Sequence, residues 1–566
     1  MRLTQLGRSK GCFLLNFHPF FIDDKEAIMR KLSNTLSVLL FLMISTILFS
    51  TVDGNCFWYG DPGDPIIPYY EPSDDVVRPL HDYIHNNVYP RLTYAFLTFD
   101  NRGTDRGLTV YDKSKAYDGY TLLGSLAPVD ENGLPWELDN SVGRPYSAIL
   151  IDMEGNIVNK WQVAGFPAKM LPGGYVMGGV GTGVPGHLED RALVQQDWCG
   201  NEVWRYEASV DPDKEIEDED GNIIKFDGGL RMHHDFQREG NPVGYYAPGM
   251  HANTDGGKTL ILIHDDPDED TSHISNFPLE DDAIREVDWE GNVIWEWHPY
   301  EHFDECGFSD IAKEAIMTIQ SGAGIIGATF PENDWQHINA VSYLGPNRWY
   351  RNGDERFHPD NIIWDGRTSN MTAIVARYDD PEGRWQSGDI VWKIGPDFVP
   401  GTKEHRLGQI IGQHMAHMIP QGLPGEGNIL MFDNGGLAGW GSYFPGLPPM
   451  YPTVFRDYSR VIEFNPVTME MEWEYVLKTP NEDGRKFFSW FISGAQRLKN
   501  GNTMITEGST GRVFEVTQKG EIVWEYISPF GSINEQTGLS GPGMVYRAYR
   551  VPKGWVPQNA KCEKQK

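Results

Sequence analysis

A tryptophan repeat constrains the fold of this 566-residue chain more than any other feature. In each copy an acidic or glycine-rich turn precedes two or three strand residues and then a tryptophan. A unit of this size cannot bury its apolar face alone, so such units stack on one another. The repeat therefore predicts an all-β protein, a six-bladed β-propeller in which inner hairpins alternate with outer tryptophan strands. The six tryptophans are Trp161, Trp204, Trp295, Trp392, Trp473 and Trp524.

The spacing of these tryptophans predicts long insertions between strands. Successive copies lie 43 to 97 residues apart, whereas a bare blade needs about 40–45 residues. One insertion, 209–229, is strongly acidic and is predicted to be a solvated loop. The predicted organisation is a leader over 1–54, an N-terminal segment over 55–114, the propeller over 115–555 and a C-terminal tail over 556–566.

The charge balance excludes one class of partner. The chain has 48 Lys and Arg residues against 80 Asp and Glu, a formal net charge of −32. Nucleic-acid binding needs a basic surface, so we expect no nucleic-acid partner. An acidic surface also repels anions, so an anionic substrate would require a local electropositive site.

The N-terminal region predicts export. Residues 36–52 are uncharged and apolar, and Arg30 and Lys31 precede them. This order is typical of a secretory signal peptide, with Met29 as an alternative start, and indicates a periplasmic or extracellular protein. The alternative is retention of 36–52 as a membrane anchor, since 17 residues approach the length that spans a bilayer. The sequence does not predict an oligomeric state.

The cysteines fit an oxidising compartment. Cys12 precedes the signal, and Cys56, Cys199, Cys306 and Cys562 follow it. Four cysteines permit up to two disulfides and three connectivities, which the sequence leaves open. A bond between Cys56 and Cys562 would suit a closed, circular fold. Because no CxxC pair is present, neither a structural zinc site nor a redox motif is predicted.

Polar residues open the predicted inner strands of the propeller. The inner strand of a blade lines the central channel, and alternate residues point into it. His337 and Asn339 are two residues apart and share one face of a strand. Either His233 or His234 could face inward. The candidate set, taken from four predicted blades, is His234, His337, Asn339, Arg367 and His414.

These residue types suit an oxyanion. Arginine presents a planar fork that matches sulfate or phosphate. Histidine acts as a nucleophile or as a general acid or base. We predict no metal and no cofactor, because Arg367 would repel a cation, although three histidines from different blades leave a metal site as an alternative.

Five segments resemble the arylsulfate sulfotransferase family, whose enzymes do not use the nucleotide donor PAPS. They are MHHDFQREGNPVGYY, DWQHINAVSYL, IIWDGRTSNMTAIV, GQHMAHMIPQG with GNILMFDNGG, and ISGAQRLKNGNTMITEGSTGRVFEV. They occur in order between about 115 and 550. The resemblance implies a six-bladed propeller and ping-pong transfer of a sulfuryl group from an aryl sulfate donor to a phenolic acceptor.

The resemblance also implies roles for the candidate residues. His414 would be the nucleophile that forms a sulfohistidine. Arg367 and Asn339 would hold the sulfate oxygens, and His337 or His234 would protonate the departing phenolate. Two alternatives remain open: a non-catalytic propeller that binds sulfated or phenolic ligands, and a quinoprotein-type dehydrogenase.

Overall fold

The computed structural model describes the strand-rich body of the chain. The leader, the apolar segment 36–52 and most of the acidic insertion lie outside the described residues. Within the described ranges, no helix has both the length and the apolarity needed to cross a membrane. The described residues are 106–132, 146–182, 189–208, 215–217, 223–225, 229–321, 333–442, 448–478, 486–530, 543–558 and 562.

The strands of three sheets follow one plan, in which four strands pair in antiparallel order. The first sheet contains β2 (Tyr120–Val129), β3 (Tyr146–Ile151), β4 (Ile157–Trp161) and β29 (Val545–Val551). The second contains β17 (Ile338–Tyr343), β18 (Ile362–Gly366), β19 (Met371–Val375) and β20 (Ile390–Ile394). The third contains β21 (His414–Met418), β22 (Ile429–Asp433), β23 (Arg460–Phe464) and β24 (Met471–Val476).

Two further sheets are larger. A five-stranded sheet contains β1 (Gly107–Tyr111), β25 (Ser493–Arg497), β26 (Thr503–Glu507), β27 (Arg512–Val516) and β28 (Ile522–Ile527). An eight-stranded sheet contains β5 (Lys169–Leu171), β6 (Tyr175–Thr182), β7 (Asp190–Gln196), β8 (Glu202–Tyr206), β11 (Met232–Arg238), β12 (Thr259–His264), β14 (Asp282–Val287) and β15 (Val293–Trp297).

The remaining described elements are short. Two-stranded sheets pair β9 (Glu215–Glu217) with β10 (Ile223–Lys225) and β13 (Leu279–Glu280) with β16 (Asn333–Asp334). The α-helices are α1 (Phe303–Cys306), α2 (Asp310–Thr318) and α3 (Arg348–Arg351). The 3-10 helices span Pro299–His302, Glu355–Phe357, Glu404–Leu407, Gly508–Thr510 and Lys553–Trp555.

The all-β, propeller-like arrangement of sheets is confirmed, but the prediction of six separate blades is wrong. Four described sheets have the four or five strands of a single blade, and the fifth has eight. The cause is a pairing between β7 and β11 at Asp190 and Met232. This pairing joins the repeat of Trp204 to the next repeat, so two repeats share one sheet.

The repeated tryptophans tie neighbouring units together. Each indole N–H donates to a backbone carbonyl in a later turn, and Trp524 donates back to Met153 near the start of the described sheets. In the third repeat the tryptophan that does this is Trp297, not Trp295, because Trp297 is the buried one of the two. The other acceptors are Asp197 for Trp161, Trp289 for Trp204, Pro466 for Trp392 and Gln518 for Trp473.

The two ends of the described chain meet in the same region. Strand β29 pairs with β2, and β1 pairs with β28. A disulfide joins Cys199 to Cys562. This pairing resolves the connectivity that the sequence leaves open, and it excludes a Cys56–Cys562 bond because the sulfur of Cys562 is already bonded. Cys306 is a free, buried thiol, and burial raises its pKa to about 12.

Apolar side chains from facing sheets form the core between them. One cluster packs Ile363 and Ile374 of one sheet against Met431 and Ile462 of the next. Burial of such side chains is the main favourable contribution to folding. It holds the sheets in place, so the polar inner ends of the strands face one another.

Candidate active site

The predicted site residues lie where strands β11, β17 and β21 come together. Each of these strands has a residue of positive φ at its start: His234 at 51°, His337 at 51° and Met415 at 55°. The strand pairing also shifts register around His234 and Met415, and directly after His337, between Ile338 and Ala340. Residues other than glycine rarely adopt this conformation, and such strain is concentrated at functional sites. The same local distortion therefore places a histidine from each strand at one end of the sheets.

His414 is buried, with 2% of its surface exposed. Its Nδ1 lies 2.8 Å from Asn434 Oδ1 and 3.1 Å from the Gly412 carbonyl. Both partners are acceptors, so Nδ1 carries the proton and Nε2 carries the lone pair. Burial, together with the charges of Arg367 and Arg547, lowers the pKa of His414 well below its ordinary value. The ring is thus a neutral imidazole with a defined tautomer.

Asn434 is held in the orientation that this tautomer needs. Its Nδ2 donates to the carbonyls of Ser489 and Phe491, which fixes Oδ1 toward His414. Ser493 Oγ donates to the same Oδ1 at 3.1 Å. The chain reaches His414 through Gly412, whose φ of 57° favours glycine.

His234, not His233, faces the other site histidines. The ring of His234 makes an edge contact with His337 at 4.7 Å between centroids. His233 instead stacks on His264 at 3.8 Å. The two neighbouring rings are joined by a contact of 2.8 Å between their Nδ1 atoms. Burial and the nearby His337 lower the pKa of His234 well below its ordinary value.

His337 is the most exposed of the three site histidines, with a quarter of its side chain accessible. Its Nδ1 lies 2.5 Å from Asp334 Oδ2. Asp334 belongs to the short strand β16, which Asn333 anchors through hydrogen bonds to Ser321 and to the Ile316 carbonyl. Burial opposes ionisation of Asp334, but His337 nearby lowers its pKa. A carboxylate that orients an accessible histidine suits proton transfer at the site.

The sequence predicts that Arg367 opens an inner strand, but this prediction is wrong. It lies in the turn between β18 and β19, because Gly366 ends one strand and Asn370 has a φ of 57°. His337, Asn339 and Arg367 therefore come from one sheet, and the five site residues come from three sheets rather than four blades. Arg367 is 7% exposed. Among the described residues, no carboxylate lies within salt-bridge distance of its guanidinium group.

Asn339 is buried at the junction of two strands. Its Nδ2 donates to the carbonyl of Gln413, the residue before His414, at 2.8 Å. Its Oδ1 has no hydrogen-bond partner among the described residues. Its backbone carbonyl accepts from Arg547 Nη2 and from the Tyr546 hydroxyl. Asn339 thus couples the position of β17 to that of the predicted nucleophile.

His417 lies outside this group. The register shift between His414 and His417 separates their surroundings. His417 Nε2 contacts the Tyr245 hydroxyl at 2.9 Å. It lies beside a buried ion network in which Asp235 pairs with Lys169 and Arg547. This network closes the space beneath the site and leaves one net positive charge.

Aromatic side chains border the site residues. Phe166 contacts the ring of His234 at 4.4 Å, and Tyr546 packs against Phe166 at 4.1 Å. Tyr451 lies within hydrogen-bonding reach of Arg367 and packs on Trp440 at 4.5 Å. Aromatic surfaces beside an arginine suit a ligand with a ring and an anionic group.

The sequence analysis missed the partners of the site residues. Asp334 lies in the segment DWQH, and Asn434 lies in FDNGG, so both lay inside the family-like segments. Arg547 gave no local signal, because its partner Asp235 is 312 residues away in the chain. A pocket of about 380 Å³ lies elsewhere, against α1 and α2, and none of the five predicted residues lines it.

Solved structures show only distant likeness. A protein of unknown function from Bacteroides caccae is 10% identical, with 77% of this chain and 99% of that chain covered and a TM-score of 0.36. The quinohemoprotein alcohol dehydrogenase from Comamonas testosteroni is 12% identical, with 79% and 69% covered and a TM-score of 0.30. Neither likeness bears on the activity of this chain. No curated protein matches the sequence.

A family model gives a specific match. The arylsulfotransferase (ASST) model matches residues 244–537, which is more than half of the chain. The matched range contains His337, Asn339, Arg367 and His414, whereas His234 lies just before it. The chain therefore belongs to the arylsulfotransferase family.

Proposed function

We propose that the protein transfers a sulfuryl group from an aryl sulfate to a phenolic acceptor in two steps, with His414 as the nucleophile. Membership of the family supports arylsulfotransferase-type activity and this class of small-molecule substrates. The observation that carries the finer proposal is the state of His414. Its Nδ1–H is engaged by Gly412 and Asn434, and its neutral Nε2 is left with the lone pair.

In the first step, the Nε2 lone pair of His414 attacks the sulfur of the donor. The N–S bond forms, the S–O bond to the aryl group breaks, and the electron pair leaves with the aryloxide. In the second step, the oxygen of a phenolic acceptor attacks the same sulfur, and the N–S pair returns to Nε2. The phenolic proton passes to a base of the site, so His414 is regenerated.

The neighbouring groups suit the charges that develop in these steps. The Arg367 guanidinium, with no carboxylate in salt-bridge distance among the described residues, is available to the sulfate oxygens. Asn339 has a second amide N–H beyond the one it gives to Gln413. His337, oriented by Asp334, would protonate the departing aryloxide and later accept the acceptor's proton. His234 lies beside His337 as a further donor.

The surrounding aromatic residues support an aryl substrate rather than an alkyl sulfate. Phe166 and Tyr546 lie on the His234 side, and Tyr451 and Trp440 lie on the Arg367 side. An aromatic ring gains from such contacts beyond the area that it buries. We therefore expect phenyl sulfates to be better donors than alkyl sulfates of similar size.

The first test is release of 4-nitrophenol from 4-nitrophenyl sulfate with and without phenol. We expect release to depend on phenol, with one rapid equivalent per chain before acceptor is added. His414→Ala should abolish both, a fall of at least a thousandfold. His358→Ala, a histidine outside the site, is the matched control and should behave as wild type. Release that survives His414→Ala would overturn the mechanism, and tight binding without release would favour a non-catalytic binding protein.

We also propose that the protein is exported. The Cys199–Cys562 disulfide supports an oxidising compartment, since such bonds are rare in the cytosol. The apolar segment 36–52 supplies a signal of suitable composition. Cell fractionation with N-terminal sequencing of the product tests this proposal. A product in the cytosol with residue 1 or Met29 at its N-terminus would contradict it.

A further inference from the structure

The adjacent histidines His233 and His234 are joined through their rings. Their Nδ1 atoms lie 2.8 Å apart, and a neutral imidazole has one nitrogen that donates and one that accepts. Only one of these two Nδ1 atoms can therefore carry a hydrogen. If His233 Nδ1 is the donor, the proton of His234 is on Nε2. If His234 Nδ1 is the donor, its Nε2 carries the lone pair instead, so the tautomer of His233 decides what His234 offers to the active site.

Asp282 lies at the other nitrogen of the His233 ring. Its Oδ1 is 3.3 Å from His233 Nε2, and neither atom has another hydrogen-bond partner among the described residues. Contacts that transfer a proton are often long or poorly aligned before the substrate binds. Asp282 Oδ2 accepts from the Ile338 backbone N–H at 2.9 Å, which holds the carboxyl group in place. Asp282, His233 and His234 therefore form one chain of contacts that ends at the active site.

The ring of His233 is fixed by its neighbours. It stacks on His264 at 3.8 Å with 19° between the ring planes, and a contact of 2.8 Å from His264 Nδ1 to Glu189 Oε1 holds His264 in turn. The strands place both rings, because His233 follows Met232, whose partner across β11 and β12 is Ile263. His233 is 1% exposed, so its nitrogen atoms are shielded from bulk water.

Burial favours neutral rings and a protonated carboxyl group in this chain of contacts. It lowers the pKa of His233 and of His234 well below the ordinary value, and neighbouring histidines add to the effect. Burial raises the pKa of Asp282 well above its ordinary value, and nearby carboxylates add to this effect. These carboxylates belong to Asp334, Asp281 and Glu280. Asp282 can therefore hold a proton that an exposed carboxyl group would lose, while the Ile338 N–H still stabilises its ionised form.

We propose that Asp282, His233 and His234 form a proton relay for sulfuryl transfer, an inference that rests on the proposed function. Asp282 and His233 are positioning residues that act through His234. In the donor state, protonated Asp282 donates to His233 Nε2, His233 Nδ1–H donates to His234 Nδ1, and His234 offers Nε2–H to the substrate. In the acceptor state, Asp282 is ionised, both hydrogen bonds are reversed, and His234 Nε2 has the lone pair.

The two half-reactions use these states in turn. In the first, His234 Nε2 gives its proton to the departing aryloxide. One proton moves from His233 Nδ1 to His234 Nδ1, and another moves from Asp282 to His233 Nε2. The relay has then lost one proton, and both rings are still neutral. In the second, the acceptor phenol gives its proton to His234 Nε2 and the donor state returns. His234 thus serves as acid and base beside His337, and the change of charge falls on Asp282.

Asp282→Asn separates the two half-reactions. Its amide oxygen should keep the Ile338 N–H, so its Nδ2–H donates to His233 Nε2 and holds the relay in the donor state. The nitrophenol burst without phenol should stay close to the wild-type rate, because 4-nitrophenolate leaves without a proton. Transfer from the sulfated enzyme to phenol, started in a second mixing step, should slow about 10–100-fold because His234 cannot become a base.

Asp281→Asn is the matched control. Asp281 is the neighbouring buried carboxyl group, and it accepts from Trp335 Nε1. This variant should change both half-reactions by the same factor. Equal effects of Asp282→Asn on the two half-reactions, or no effect on either, would overturn the relay. His414→Ala should abolish the burst itself, so failure of the proposed function is distinguishable from failure of the relay.

A measurement on the wild-type chain keeps the proposal testable if Asp282→Asn does not fold. The rate of transfer from the sulfated enzyme to phenol is followed in mixtures of H₂O and D₂O. Because several protons move together in the relay, the rate should depend on the deuterium fraction along a curve. A straight line would mean that a single proton moves, and the relay would then be wrong.

Discussion

At the scale of single residues, the surroundings of His414 determine its chemistry. Burial and two arginines disfavour the imidazolium, whereas the hydrogen bond from Nδ1–H to Asn434 favours it. The net effect is a pKa well below the ordinary value, so the ring stays neutral under mildly acidic conditions. Because only the neutral ring can attack, the acid limb of the attack rate should lie well below the ordinary pKa of histidine.

Asn434→Asp tests this balance. It replaces a neutral acceptor, 2.8 Å from Nδ1, with an anion. The anion stabilises the imidazolium and therefore raises the pKa of His414. The acid limb of the nitrophenol burst rate, measured between pH 4.5 and 8, should therefore move to higher pH. Asn352→Asp, at an exposed position, adds the same charge elsewhere and should leave the limb in place. A limb that does not move in Asn434→Asp would contradict the assigned tautomer.

The sequence predicted which residues meet, but not how each is held. His234, His337 and His414 stood out because they occupy similar positions in successive repeats. His234 has a φ of 51°, which lies outside the strand region. The rule that alternate residues of a strand share one face assumes regular strand angles, so it could not decide between His233 and His234. Arg547 could not be found, because its ion pair with Asp235 joins strands that are 312 residues apart in the chain.

At the scale of elements, the tryptophan repeat predicted strands and turns correctly but miscounted the sheets. Periodicity identifies a strand, whereas the sheet to which it belongs depends on hydrogen bonds to a neighbour. One such contact, between Asp190 and Met232, merges two repeats into one eight-stranded sheet. The turn around Arg367 was mistaken for a strand start for a similar reason, since polar residues open strands and form turns alike.

The buried tryptophans should contribute more to stability than the half-buried ones. Trp161 is 1% exposed and donates to the Asp197 carbonyl. Trp161→Phe removes this donor and part of the packed volume, so we expect a loss of about 2–4 kcal/mol in unfolding free energy. Trp473 makes the same type of bond to Gln518 in an exposed setting, and Trp473→Phe should cost under about 1 kcal/mol. Thermal and urea unfolding measure both, and equal losses would contradict a role for the buried contact.

At the scale of the whole molecule, closure depends on contacts between distant parts of the sequence. The last described strand, β29, pairs with β2 near the beginning, and the disulfide adds a link between Cys199 and Cys562. Arg547 and Tyr546 of β29 also contact β17 beneath the site. The strand that completes the first sheet therefore also supports Asn339, which couples the integrity of the fold to the position of the predicted sulfate-binding groups.

The net charge of the chain is −32, whereas the proposed substrate-binding site contains arginine and histidine side chains. An anionic aryl sulfate must approach an acidic molecule before it reaches Arg367 and His414. Salt screens this repulsion, because the Debye length falls from about 30 Å at 0.01 M to about 8 Å at 0.15 M. We therefore expect kcat/KM for 4-nitrophenyl sulfate to rise about two- to tenfold over this range.

A neutral phenolic acceptor provides the internal control for this prediction. In a ping-pong reaction kcat/KM can be measured for each substrate separately, and phenol carries no charge to be repelled. Its kcat/KM should change less than twofold over the same salt range. A donor kcat/KM that falls with salt would mean that attraction by Arg367 and Arg547 extends past the acidic surface. In that case the electropositive site would control the approach of the substrate as well as its binding, and the repulsion argued from net charge would be wrong.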